Sequence, residues 1–386
     1  MDFAFDADDV LMGETIRQVL EHELPTERLR GLIDDQSVVD TALWATLAGA
    51  GLPGAMIADK WDGAGLGLVQ IATAIRECGA ALAPVPLVET VALGYAVQRG
   101  GCDELKAEVL PAAAAGHLLG SAVLGSGPAV LARRDSAHYL LSGEVRGVPF
   151  GAAADLLLVP VRLTTGETTL AVCRRHWPGV SIVPADHNAD LTCAMSQWTF
   201  ADVPAPPEYV LRSGPEGDAD LQLVVSLARA GYALLAIGGA KATLAETISY
   251  IGQREQFGRP IATYQAVKHH AANMRIKLDM SEPAAYYATW CVDHEADAQE
   301  AGLTAYLAAS EAYLDIVKTG LQLHGAIGYT WEHQTHLYLR RAQRLAAVFG
   351  SPRDGYADLG RRARARSALT PAQHGQRCEG KGQAHA

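Results

Sequence analysis

Arg254-Glu255-Gln256-Phe257-Gly258-Arg259-Pro260-Ile261 runs on into Tyr264-Gln265-Ala266-Val267-Lys268-His269, and further along the chain reads Gln322-Leu323-His324-Gly325-Ala326-Ile327-Gly328-Tyr329. Arg254 offers a planar fork of donors that matches paired anionic oxygens, and Phe257 offers a flat apolar face for a ring. Gln265 and Gln322 can each donate and accept. Gly325 and Gly328 let backbone come close to a ligand. Read without the second stretch, the first has a plainer explanation. Arg254 and Arg259 would complement the macrodipole at a helix C-terminus, and Gly258 with Pro260 would stop the helix.

The texture around these stretches changes twice. From about residue 9 to 117 apolar residues recur at helical spacing, as in TALWATLAGAGL and GLVQIATAIRECGAAL, with Gly and Pro between them. Between 118 and 212 come short runs rich in Val, Leu and Thr, including HYLLSGEV, ADLLLVPVRL, TTLAVCRR and SQWTFADV. Helical texture returns over 217–245, 262–296 and 303–324, with one more helix around 336–349. The chain therefore reads as α+β. An N-terminal helical domain (1–117) precedes a small middle β domain (118–212) and a C-terminal four-helix bundle (213–365), and a polar tail (366–386) is expected to be disordered.

With 386 residues, 49% of them hydrophobic and 19% charged, the chain is long enough for substantial cores. A net charge of −11 argues against wholesale nucleic-acid binding, which needs a basic surface. The basic run Arg361 to Arg366 reads as a solvated helix end rather than a polyanion site. No stretch approaches twenty uninterrupted apolar residues, and the acidic start MDFAFDADDV is unlike a secretory signal, so the expected location is the cytoplasm. Cysteines 78, 102, 173, 193, 291 and 378 show no CxxC spacing, which favours reduced thiols. His324, His333, His336 and Glu332 lack the spacing of a metal site, and no metal is expected.

Taken together, the two stretches resemble the acyl-CoA dehydrogenase family. The first is similar to its R-x-x-F-G-x-x-[IL]-x-x-x-Q element and the second to its Q-x-x-G-G-x-G element. Trp44, Gly51-Leu52, the glycines of Asp62-Gly63-Ala64-Gly65-Leu66-Gly67 and Leu82-Ala83-Pro84-Val85-Pro86 are similar to the family's entry helices, so the likeness runs over roughly residues 10–352 and is weakest in the middle. The resemblance implies FAD as cofactor. It also implies a cofactor-binding set of Arg254, Gln256, Phe257, Ile261, Tyr264, Gln265, Gln322, Gly325 and Ala326, serving a flavin held mainly by a neighbouring subunit.

The family's reaction removes the α-proton of a CoA thioester with a carboxylate while the β-hydrogen leaves as hydride to the flavin. Counting from the two elements, the family's two positions for that carboxylate fall on Phe349 and on Ala228, and neither can accept a proton. The nearest acids are Asp354 and Asp220. The segments that face the flavin in the family correspond to Leu124-Gly125-Ser126-Gly127-Pro128 and to Arg146-Gly147-Val148-Pro149-Phe150-Gly151, where most of the expected groups are gone. This pattern resembles the heteromeric (α2β2) acyl-CoA dehydrogenases of actinobacterial steroid degradation. It implies a non-catalytic subunit that completes the FAD site of a homologous catalytic partner, on a CoA ester as bulky as a steroid side chain. Two other readings stay open. One is a self-sufficient flavoenzyme of the same fold with another base; the other is a flavin-free structural or regulatory scaffold.

Overall fold

The computed structural model describes residues 7–369 except Val38, Ser126 and His187. The polar tail beyond residue 369 and Ser126 of the middle segment lie outside the described residues. Six helices form the N-terminal part: α1 (Ala7–Glu23), α2 (Thr26–Asp34), α3 (Thr41–Gly49), α4 (Leu68–Ala80), α5 (Leu87–Gly100) and α6 (Asp103–Ala114). In α4, Ile71, Ile75 and Cys78 share one buried stripe at helical spacing. Asp40 caps α3 by accepting from Leu43 N at 3.0 Å, and Arg28 holds the same carboxylate at 2.7 Å. The start of α4 is capped from far away in the chain: Asp293 accepts from Leu68 N at 2.7 Å and from Val69 N at 2.9 Å.

Seven strands follow: β1 (Gly120–Ala122), β2 (Val130–Asp135), β3 (His138–Pro149), β4 (Leu156–Leu163), β5 (Thr168–Arg174), β6 (Val180–Pro184) and β7 (Met195–Ala205). They make one mixed sheet in the order β1-β4-β2-β3-β7-β6, with β5 added to β4. β4 runs parallel to β1 and β2, and the other pairs are antiparallel. The four runs recognised by composition become β3, β4, β5 and β7. β1, β2 and β6 were not distinguished in that way, because they are short or polar; in β2 only Val130 and Ala132 are buried, and Arg133, Arg134 and Asp135 face out.

The C-terminal part contains α7 (Gly214–Gln253), a hairpin of β8 (Glu255–Gln256) and β9 (Arg259–Pro260), then α8 (Gln265–Asp293), α9 (Ala298–His324), α10 (Thr335–Leu345) and α11 (Pro352–Leu369). α7 is apolar and long enough to span a membrane by composition, but 89% of its most apolar window is buried in this structure, as befits a central core helix. It crosses α4 at two glycines. A Cβ on Gly79 would lie 2.2 Å from Leu235 O, and one on Gly238 would lie 1.9 Å from Arg76 O, so no other residue allows this approach. α10 stops at Leu345, short of the Phe349 expected from sequence. The basic run belongs to α11, which continues to Leu369, past the expected tail boundary at 366. α11 was hidden by its polarity. It is held on α9 by polar contacts, Arg362 Nη1 to Gln299 Oε1 at 2.6 Å, Arg366 Nη2 to Glu300 Oε1 at 2.8 Å and Tyr356 hydroxyl to Glu311 at 2.8 Å.

The sheet is fastened to the C-terminal helices by a buried ion cluster. Asp190, which is 0% exposed, pairs at 2.7 Å with both Arg341 and Arg344 of α10. Its other oxygen accepts from Thr192 N at 3.0 Å and Thr192 Oγ1 at 2.6 Å. Burial alone would raise this carboxyl, but the two guanidiniums and the Thr192 hydrogen bond outweigh it and hold it below the usual aspartate range. Asp190→Asn leaves two buried guanidiniums without their counter-charge, and a loss of about 3–5 kcal/mol in a urea-denaturation titration is expected. In the wild type the contribution is fully present above the unfolded aspartate value of about 3.9 and disappears as pH falls through the lower folded value. Stability measured against pH should therefore lose this share only in strong acid.

Candidate functional site

The hairpin after α7 is built to present its tip. Arg254 N donates to Tyr250 O at 2.8 Å to end the helix, and Ile261 N donates to Arg254 O at 2.8 Å to close the loop. Gln256 and Arg259 pair, so Phe257 and Gly258 become the two turn residues, with φ of +54° and +80°. Two left-handed residues in succession are the signature of a type I′ turn. Glycine adopts that conformation freely, whereas for phenylalanine it costs about 1–2 kcal/mol. The strain is met with a ring that is 94% exposed. Tyr264 supports the tip from below: its hydroxyl donates to Gln256 O at 3.0 Å, Phe257 meets its ring edge-on at 6.5 Å, and the Arg259 guanidinium sits 4.2 Å above it. The Arg254 side chain is exposed and makes no hydrogen bond or ion pair among the described residues. Gln265 opens α8, whose first N–H groups have no side-chain cap.

The structure brings the two stretches side by side. The Tyr250 ring stacks on His324 at 4.5 Å, and its hydroxyl donates to His324 O at 3.3 Å. This clamps the end of α7 to the end of α9. At Gly325, φ of +67° breaks α9, and a Cβ there would meet nothing within 4 Å, so the backbone is open to a ligand. Gln322, Gly325 and Ala326 are exposed together with Arg254, Gln256, Phe257 and Gln265, whereas Ile261 and Tyr264 are half-buried supports of the hairpin. The joining pair, Tyr250 and His324, was not singled out from sequence; their place four residues before Arg254 and two after Gln322 was the available signal.

The cleft between the sheet and the helices has the opposite character. Ala228 is buried within α7. The Phe349 ring lies edge-on to Tyr306 at 4.9 Å and to Tyr232 at 5.7 Å, with the Arg229 guanidinium 5.4 Å from its centre. A Cβ on Gly125 would fall 1.7 Å from Val348 O, so the strand-connecting loop rests directly on the turn that carries Phe349. The space left is a cavity of about 350 Å³. Among the described residues its lining contains Arg146, Arg344 and Tyr232 but no carboxylate. Asp220 is engaged by Arg99 at 2.8 Å and Arg212 at 2.5 Å, and Asp354 accepts from Ser351 Oγ at 2.7 Å at the start of α11. One carboxylate near the cleft escaped the sequence reading. Glu89 of α5 is buried and accepts from the Tyr232 hydroxyl at 2.6 Å, and burial and then that carboxylate push the Tyr232 phenol well above its ordinary value.

Residues 6–117 match the acyl-CoA dehydrogenase N-terminal domain and residues 220–352 match the acyl-CoA dehydrogenase C-terminal domain. The acyl-CoA dehydrogenase IpdE2 of Mycobacterium tuberculosis is 29% identical over 348 residues, covering 89% of this chain and 93% of the relative. Among solved structures, the Tcur3481-Tcur3483 steroid ACAD (G363A variant) is 29% identical with a TM-score of 0.86, covering 94% of this chain and 99% of that one. The ChsE4-ChsE5 complex of Mycobacterium tuberculosis is 25% identical with a TM-score of 0.87, covering 96% and 100%. Other structures of the same fold carry FAD or FADH2. The chain belongs to the acyl-CoA dehydrogenase family.

The contact between the Gly125 loop and the Val348 turn is tested by a pair of substitutions in one loop. Gly125→Ala forces a methyl into the Val348 carbonyl and should cost about 1–3 kcal/mol in chemical denaturation. Gly127→Ala, where a Cβ meets nothing within 4 Å, should stay within about 0.5 kcal/mol.

Proposed function

We propose that this member of the acyl-CoA dehydrogenase family is the non-catalytic subunit of a heteromeric α2β2 enzyme. In this reading it completes an FAD site held chiefly by a homologous catalytic subunit, which supplies the base. The observation that carries the proposal is the contrast between the two regions. On the exposed face an unpartnered guanidinium, an uncapped helix start, a strained exposed ring and an open glycine backbone all await a ligand from outside the chain. These features fit a flavin dinucleotide. Arg254 and the α8 N-terminus would hold pyrophosphate, Phe257 would pack on a ring, and Gln256, Gln265 and Gln322 would bond hydroxyl or phosphate oxygens, with Gly325 and Ala326 giving backbone access. The chain's own cleft does not fit the same group. The Gly125 loop rests on the Val348 carbonyl, Phe349 fills the space beside it, and no carboxylate lines the opening among the described residues.

FAD, when bound, supplies the acceptor for the β-hydrogen; the chain's own residues bind and orient it. Phe349 and Ala228 offer no proton acceptor, so α-proton removal is assigned to the partner. We assign the partner surface to α8, where Ile276, Met280 and Tyr287 are exposed at helical spacing, Met280 to 75%. A bulky substrate such as a steroid-side-chain CoA ester is supported by the relative described as a steroid ACAD. Glu89 favours a second reading, a self-sufficient flavoenzyme with an unusual base. That reading requires Tyr232 to release the carboxylate, and it predicts turnover by the chain alone.

Expressed alone, the chain should purify without stoichiometric FAD and without acyl-CoA dehydrogenase activity, and co-expression with its homologous partner should give a yellow active complex. Turnover by the isolated chain that is lost in Glu89→Gln would replace the partner model with the second reading. In the complex, Arg254→Ala should weaken FAD retention roughly ten- to a hundredfold, the loss of about 1.5–3 kcal/mol of charge-assisted bonding, measured by flavin absorbance after dialysis. Unchanged flavin content would remove Arg254 from the site.

A further inference from the structure

We infer that His324, His333 and His336 form an acid-opened latch that fastens the connector between α9 and α10, residues 325–334, to the helices around it. The hydrogen bonds place the protons. His324 Nδ1 lies 2.7 Å from Gly320 O, and a carbonyl only accepts, so that ring carries its proton on Nδ1. His336 likewise donates from Nδ1 to His333 O at 2.7 Å. His333 has the other tautomer. Thr335 N can only donate, and it reaches His333 Nδ1 at 3.3 Å, so the ring proton is on Nε2 and is donated to Glu246 of α7 at 3.2 Å. All three rings are thus held neutral, and a second proton is poorly placed on each. On His324 and His336 it lands on Nε2, which is buried and has no hydrogen-bond partner among the described residues. On His333 it lands on the lone pair that faces the Thr335 N–H.

The charges around the rings act in both directions. Glu246 favours a proton on His333, whereas Arg30 of α2 opposes one on His333 or His336, and Arg340 of α10 opposes one on His336. His324 and His333, with ring centres 4.5 Å apart, oppose each other. Tyr250 of α7 stacks on His324 and Trp331 lies beside His336, and neither brings a charge. Glu332 offers its backbone carbonyl to Arg30 at 2.7 Å while its side chain is exposed. Burial is the largest influence and holds both His333 and His336 below the ordinary histidine value. An opened connector therefore binds more protons than a closed one, so closure is strongest above about pH 6.5 and weakens as pH falls below it. A ring that takes up a proton only in the open state raises the opening constant about tenfold between pH 7.5 and 5.5, and two rings raise it about a hundredfold. The connector has modest means of its own: a 3₁₀ turn over Gly325–Tyr329, and bonds to α2 from Glu332 O and the Gln334 side chain. Gly325 and Ala326 move with it. On the function proposed above, opening withdraws their backbone from the flavin, and that consequence alone rests on that reading.

The experiment is hydrogen exchange of the full chain, read by mass spectrometry between about pH 7.5 and 5.5 and corrected for the intrinsic exchange rate. It needs neither flavin nor partner, so its outcome is separate from that of the proposed function. Peptides covering 325–334 should open at least tenfold more at the acid end, while peptides from the buried middle of α7 change by less than about threefold. His333→Gln with His336→Asn keeps a side-chain donor near each ring position in use and removes the titration, so the connector's response should flatten. Should that variant fail to fold, the wild type supplies the check through carbon-13 NMR of its labelled histidines, in which the His333 and His336 rings should titrate below about 6.5. A connector whose opening is independent of pH, an equal rise in the α7 peptides, an undiminished response in the folded double variant, or both rings titrating at or above about 6.5 would each overturn the inference.

Discussion

One buried carboxylate, Asp190, fixes how the sheet meets the helices. It lies on the loop before β7 and engages two arginines on α10 across more than 150 residues of chain, as the Asp190 contact of Arg344 spans 154 positions. Two guanidiniums and one carboxylate out of water are worth keeping only if nearly every remaining hydrogen-bonding site is filled. Thr192 contributes backbone and hydroxyl donors to Asp190 and a carbonyl and a hydroxyl oxygen to Arg341, while Leu82 O takes a further Arg341 contact from the N-terminal domain. All three parts of the chain therefore converge on one polar cluster. Because α10 is held there, the turn at Val348 and Phe349 is held too, and the loop at Gly125 closes on it. Arg344 belongs both to the ion cluster and to the lining of the cleft, so the cluster also fixes one wall of that space.

Much of the architecture could be read from apolar spacing. The long helices and the four strongly apolar strands, β3, β4, β5 and β7, announce themselves because each must bury one face. Elements supported by other means were less legible. α11 relies on arginine and tyrosine contacts to α9, and β2 has only two inward residues, so neither carries a hydrophobic signature. The residues of the candidate face were picked out because the two stretches resemble elements of a known family; arginine, glutamine and glycine by themselves left a plain helix-stop reading open. Glu89 was not, since a glutamate inside a helical run says nothing about burial until α5 and α7 are packed. The type I′ turn at Phe257 was hidden for a related reason, because phenylalanine is a residue that such turns ordinarily reject.

The two regions of the protein illustrate opposite treatments of polar and aromatic groups. In the cleft, the Phe349 ring meets Tyr306 and Tyr232 edge-on and lies beside the Arg229 guanidinium, so the aromatic groups are engaged with one another. At the ends of α7 and α9, similar residue types are held apart from their neighbours. Tyr250, His324 and Tyr264 make the supporting contacts, so Arg254 has no side-chain partner among the described residues and the Phe257 ring, edge-on to Tyr264, stays 94% exposed. Rigid supports beneath unpartnered groups reduce the ordering cost of binding, which is the physical advantage of preorganisation.

The cap that Asp293 places on α4 has a consequence for synthesis on the ribosome. The residues it joins are separated by 225 positions. At about 5–20 residues per second, roughly 10–45 s pass between emergence of the first turn of α4 and that of its cap. Through that interval the early helices hold an incomplete terminus, and α4 also lacks α7, whose Gly238 receives its backbone. The N-terminal third of the chain must therefore wait in a partly assembled state, and final consolidation belongs to the last stage of translation.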